Sequence, residues 1–191
     1  MAFLRPSSSI GTTKFVLIFL CLFILSSGNV VNSLQYDHSS SIECLIDPLK
    51  PQYGGGIIRN PEFNQSLKGW STFGYANIST TKSETMNYFA IATHRKHPHQ
   101  SISQKLYLQK RMFYTFSAWV QASEGQGDVR AVFKTGEDFI HAGAVEAKSG
   151  CWSMLKGGLS VEASGPAELY FEVIIDRYTF TNSDYNRKIL L

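Results

Sequence analysis

Apolar and polar residues alternate along short stretches of this chain, and turn residues separate the stretches. The runs are Asn77–Thr81, Tyr88–Thr93, Ser101–Leu106, Met112–Gln121, Val129–Lys134, Ile140–Val145, Trp152–Gly157 and Ala167–Val173. Their spacing, near ten residues with Gly, Pro, Asn and Ser between, predicts an antiparallel β-sandwich. No long stretch keeps the 3.6-residue period of an amphipathic helix. In Met112–Gln121 the alternation assigns Met112, Tyr114, Phe116, Ala118 and Val120 to a core face, and Phe113, Thr115, Ser117, Trp119 and Gln121 to the other. In the last run Ala167, Leu169, Phe171 and Val173 point one way, and Glu168, Tyr170 and Glu172 the other. Ahead of these runs, Tyr53–Gly74 reads as the entry to the sandwich. Three glycines lead to an apolar start at Ile57-Ile58, Asn60-Pro61 sets a turn, and Trp70 anchors what packs over the first strand.

Aromatic rings among carboxylates and hydroxyls on an outer sheet face suit a sugar. The flat ring stacks on C–H groups, and polar neighbours take hydroxyl hydrogen bonds. Trp119, Tyr170 and Glu172, with His141, Tyr75 and Arg95, form the candidate carbohydrate-binding set. Periodicity does not say what covers a face, so Trp119 reads equally as a stacking platform or as a side chain packed under a loop. The loop from His94 to His99 contains three histidines, yet Pro98 prevents the helical placement that aligns paired ligands. It predicts a solvated basic loop and no metal site.

Charge and cysteine content place the chain. Arg5 and Lys14 precede or flank an unbroken apolar run, Phe15–Leu25, and small or polar residues follow from Ser26 to Ser33. This is the layout of a secretion signal over residues 1–33, too short for a membrane span. The remaining chain carries sixteen basic and fifteen acidic residues, which argues against a nucleic-acid partner held by bulk charge. It also keeps only Cys44 and Cys151, which in an oxidising compartment have one intramolecular pairing. Two cysteines are too few ligands for a metal, and no base is placed beside either for a catalytic thiol. Asn64-Gln65-Ser66 and Asn77-Ile78-Ser79 are glycosylation sequons that fit the same compartment.

Ten ordered segments carry a resemblance to a known family: Ile42–Leu45, Tyr53–Ile58, Asn60–Glu62, Leu67–Gly74, Ser103–Lys110, Tyr114–Val120, Ala131–Thr135, His141–Val145, Ser149–Gly158 and Ala163–Glu172. They resemble the N-terminal module of plant family 10 glycoside hydrolases, the endo-1,4-β-xylanase-like proteins. That module is similar to family 22 carbohydrate-binding modules. The resemblance implies an all-β jelly-roll sandwich like galactose-binding domains, with xylan or a related β-glucan held in a cleft on one sheet. It also implies a structural calcium ion, although Asn64 stands where a calcium-binding Glu is common.

The resulting division is a signal over 1–33, a polar segment over 34–52, the sandwich over 53–172 and an atypical tail over 173–191. The tail, VIIDRYTFTNSDYNRKILL, matches neither the family's closing strand nor its catalytic barrel. A barrel needs about 250 residues and a pair of carboxylates, so no catalytic residues are assigned. A retained intron starting at the Val173 codon, or an incorrect gene model, is the expected origin of the change. The sandwich is then expected to lack its closing strand, with Val173–Ile175 partly substituting. The expected product is a secreted, monomeric, xylan-binding module of the cell wall with no cofactor and no membrane contact after signal cleavage. The other readings are a protein-interaction sandwich and a non-functional truncated product.

Overall fold

The computed structural model describes residues 44–50, 52–174 and 188–191. The secretion signal, most of the polar segment and tail residues 175–187 lie outside the described residues. Among the described residues ten strands form two antiparallel sheets. They are β1 (Ser71–Phe73), β2 (Asn77–Lys82), β3 (Tyr88–Thr93), β4 (Ser101–Leu108), β5 (Phe113–Ala122), β6 (Gln126–Thr135), β7 (Asp138–Lys148), β8 (Ser153–Ser160), β9 (Gly165–Ile174) and β10 (Ile189–Leu190). The first sheet runs β1-β4-β9-β6-β7 and the second β2-β3-β10-β5-β8. This is the expected jelly-roll sandwich, and all eight expected runs are strands.

The core follows the alternation. Phe116 and Val120 of β5, with half-buried Tyr114 and Ala118, face Ala167, Leu169, Phe171 and Val173 of β9. Phe116 is the hinge of the aromatic packing, with Phe133 edge-on at 5.7 Å and Phe171 tilted at 6.1 Å. Met112 departs from the expectation. It precedes β5 in a turn and is 51% exposed, because the strand starts only at Phe113.

Two further expectations change. Ile57-Ile58 lies in a turn after a short 3-10 helix at Gln52–Gly55, so the first strand is instead Ser71–Phe73. The intervening chain is a compact turn built on Asn60. Its side-chain N–H2 donates to the carbonyls of Ser66 (2.7 Å) and Lys68 (3.2 Å), and its Oδ1 accepts from Gln65 N (3.2 Å). Trp70 does anchor this turn. Its Nε1 donates to Asn60 O at 3.1 Å, its ring lies 5.1 Å from buried Phe63, and both pack on the core.

The closing strand is present. Val173–Ile174 extend β9 against β6, and the slot between β3 and β5 is filled by β10. Leu191 continues it with a reciprocal pair of bonds to Ala90, at 2.8 and 2.9 Å, and packs on the core. Next to β8, the edge strand of the second sheet, Cys44 and Cys151 are disulfide-bonded with Cα atoms 5.1 Å apart. Beside the bond, Leu45 bridges Trp152.

Candidate functional site

Residues paired directly across antiparallel strands share a face. The registers therefore assemble the outer face of the first sheet row by row. Ser71 (β1), Ser103 (β4), Tyr170 (β9), Val132 (β6) and His141 (β7) make one row. On one side of it Lys105, Glu168, Lys134 and Phe139 make the next. On the other, Glu172 pairs with Arg130, and Arg130 with Ala144. A register shift at Ala131/Val132 keeps His141 and Ala144 on this one face.

The floor of the face is deep. Val132, Tyr170, Ser101 and Ser103 are buried, although none belongs to the core between the sheets. A buried outer face means that neighbouring side chains rise around it. Phe73 leans over the serines of β4 and stacks on Tyr170, with centroids 3.9 Å apart and rings 4° from parallel. His99 meets Phe73 edge-on at 6.0 Å. Tyr170 donates its hydroxyl to Glu172 at 3.2 Å. Burial, then the Glu172 charge and this bond, push the phenol well above its usual range. It therefore stays a donor, and the half-buried Glu172 accepts from it through one carboxylate oxygen. Ser103 donates to Glu168 at 2.8 Å, so Ser71, 3.0 Å from Ser103, supplies the proton of that contact.

The loop from His94 to Gln100 borders this floor. Arg95 is buried and turned inward, donating Nε to Gln100 O at 2.5 Å and Nη2 to Pro98 O. Burial lowers it to about 10, still protonated at neutral pH. Gln100 Oε1 accepts from Lys96 N (2.5 Å) and His97 N (3.2 Å), and Pro98 O accepts from Val173 N (3.0 Å). Arg95 thus holds the loop against β9 and does not present its guanidinium to the face.

The candidate set divides accordingly. Tyr170, Glu172 and His141 share the first sheet's outer face. Trp119 is on the second sheet, paired with Met154, about 10 Å away through the sandwich. It is only half-exposed. That outer face also carries Phe89, whose ring meets buried Trp152 at 5.5 Å beside the disulfide. Tyr75 lies in the β1–β2 connection and is 88% exposed. The reading from sequence missed Phe73, Arg130 and Lys134, and left Glu168 out of the candidate set although it had placed it on the outward face of its strand. The alternation of Arg130, Val132 and Lys134 with Ala131 and Phe133 already carried two of them, whereas a three-residue strand gives no periodicity for Phe73.

The implied calcium ion does not fit the turn at 60–68. Calcium takes six to eight oxygens at about 2.3–2.6 Å, and here two carbonyls that could serve are engaged by the Asn60 amide. Among the described residues no three His, Cys, Asp or Glu side chains converge. A chelator such as EDTA is expected to leave the melting temperature unchanged. A clear drop, restored by calcium, would show that a cation is bound after all.

Both sequon asparagines, Asn64 and Asn77, are exposed.

Comparison with known proteins places these features. A family model described as a carbohydrate binding domain matches residues 55–179. An endo-1,4-beta-xylanase 5-like protein of Arabidopsis thaliana is 28% identical over 166 residues, covering 81% of this chain and 25% of that protein. Endo-1,4-beta-xylanase 4 of the same plant is 30% identical over 169 residues, covering 85% and 24%. The chain thus spans about a quarter of the length of these relatives. Among solved structures, the CBM22-2 xylan-binding domain of Paenibacillus barcinonensis Xyn10C superposes with a TM-score of 0.57 at 14% identity, covering 68% of this chain and 92% of that one. The CBM22-1–GH10 modules of Clostridium thermocellum Xyn10B, complexed with xylohexaose, give 0.57 at 12% identity, covering 68% and 26%. At such identities these likenesses speak for the fold.

Proposed function

The chain belongs to the carbohydrate binding domain family, and from that premise we propose that it is a secreted module that binds xylan or a related cell-wall polysaccharide on the outer face of its first sheet. The observation that carries the reading is the half-buried Phe73 ring, stacked on Tyr170, beside the Tyr170–Glu172 hydrogen bond. An aromatic ring beside a fixed acceptor suits a sugar ring, which has C–H faces and equatorial hydroxyls. The module works without bond chemistry. Glu168 and Glu172 are four residues apart on one strand, about 13 Å along it. Glycosidase carboxyl pairs stand about 5–9.5 Å apart across the bond they cleave. The relatives' names, endo-1,4-beta-xylanases of a plant, support xylan as the polymer. The apolar run Phe15–Leu25 supports secretion, and exposed Asn64 and Asn77 would carry the N-glycans. The module acts as a monomer, and the sandwich spans the division from residue 53 to the tail.

Affinity electrophoresis in gels containing soluble xylan tests this. The wild-type protein is expected to be retarded. Glu172→Gln is expected to weaken binding about tenfold, since a charge-assisted hydrogen bond is replaced by a neutral one. Trp119→Ala is expected to leave retardation unchanged. The reverse result would move the cleft to the second sheet. A folded wild-type protein that ignores xylan and β-glucans alike would favour a protein-interaction domain.

A further inference from the structure

Around Val132 the carboxylates and the cations of this face stand on different strands. On β6, Arg130 and Lys134 flank Val132 and pair across β9 with Glu172 and Glu168 respectively. Adjacent opposite charges in such positions ordinarily close ion pairs. Here neither pair closes. The one ion pair between described side chains is Lys148–Glu146. Instead each carboxylate is held from the other direction, Glu172 by the Tyr170 hydroxyl and Glu168 by Ser103 on β4. Lys134 turns the opposite way, with its ammonium 5.7 Å from the centroid of Phe139 on β7. Arg130 has only the methyl of Ala144 beside it on β7.

Around Val132 the face therefore has an aromatic side on β9, with Glu168 and Glu172, and a basic half on β6, with Arg130 and Lys134; one row beyond Arg130 lie Asp128 and Glu146, the latter paired with Lys148, and Lys105 stands on β4. The basic half has Val132 as its apolar floor and exposed His141 and Phe139 as its far wall. Resting on the polysaccharide reading, we propose that this half receives the carboxylate of a uronic acid side group, so that the ligand is an acidic, uronate-bearing xylan in preference to a neutral one. The sugar backbone lies against Phe73 and Glu172, and a uronate branch extends across Val132 between Arg130 and Lys134. The carboxylate meets Arg130 there, with Lys134 attracting it from further along β6, while Glu168 and Glu172 are held toward β4 and along β9. A neutral branch gains nothing from Arg130 and Lys134.

The test uses one polymer in two forms, glucuronoxylan and the same material after carboxyl reduction, which replaces each uronate by a neutral hydroxymethyl group. The wild-type protein is expected to bind the native form about fivefold more tightly at low salt, the size expected of partly exposed charge contacts. That preference is expected to shrink in about 0.5 M NaCl, where screening acts within a few ångströms. The Arg130→Gln/Lys134→Gln variant is expected to bind both forms equally, with affinity for the reduced form retained, which also shows that it is folded. Equal wild-type binding of the two forms would overturn the uronate proposal and leave xylan binding standing. Equal loss of both forms in the variant would overturn it too, because the cations would then serve the backbone or the fold. Binding of neither form by folded wild-type protein would overturn the polysaccharide reading itself.

Discussion

Replacing Cys44 and Cys151 by serine is expected to lower the unfolding free energy by about 4 kcal/mol, read as a lower urea midpoint with a steeper slope, because the unfolded chain without its cross-link exposes more surface. The two residues are 107 apart in sequence. A bridge closing so long a loop removes a large share of the unfolded chain's freedom, and each doubling of loop length adds only about 0.6 kcal/mol more. In the folded state the bond holds the segment at 44–50 against β8, where Leu45 N donates to Trp152 O at 2.9 Å and Trp152 N donates to Leu45 O at 2.6 Å. Trp152 is buried in contact with Phe89 on the second sheet's outer face, so release of the segment also uncovers apolar surface. Polysaccharide binding at low temperature is expected to survive, since the proposed cleft is on the opposite sheet. Identical midpoints for oxidised wild type and variant would show that the segment contributes no stability.

Gly157→Ala is expected to cost about 3 kcal/mol, the upper part of the range for forcing an extra carbon into a packed site. β7 ends the first sheet and β8 the second, and their backbones touch through two glycines. A Cβ on Gly157 would fall onto the Ala142 carbonyl oxygen, and one on Gly143 onto the Lys156 carbonyl oxygen. Neither obstacle is a flexible side chain, so the strands themselves must part. His141 adjoins Ala142 on β7, so the substitution is also expected to weaken binding at the basic half of the cleft. Gly165→Ala provides the comparison, because a Cβ there meets nothing within 4 Å. If both variants melt like wild type, the close approach of β7 and β8 is not a constraint on the fold.

The eight long strands were legible because their side chains alternate between core and solvent over six or more residues. The same alternation identified Tyr170, Glu172 and His141 as outward-facing. It could not find β1 or β10, which are three and two residues long. A strand that short has no period, and its pairing depends on open edges elsewhere. Arg95 shows a different limit. Basic residues in a polar loop read as solvated, yet its guanidinium turns inward because the loop's own carbonyls, from Pro98 and Gln100, converge on it.

From its sequence alone this chain determined an all-β sandwich, one disulfide and the two outer faces from which a sugar could be held. Period-two alternation and the pairing of two cysteines are local or combinatorial facts, and they survive without coordinates. Only the tertiary structure decided which residues share a face. Trp119 and Tyr170 have the same outward phase in their own strands, but β5 and β9 belong to different sheets. Phase is a property of one strand, whereas a binding face is made by register among several, and register depends on contacts far apart in the chain.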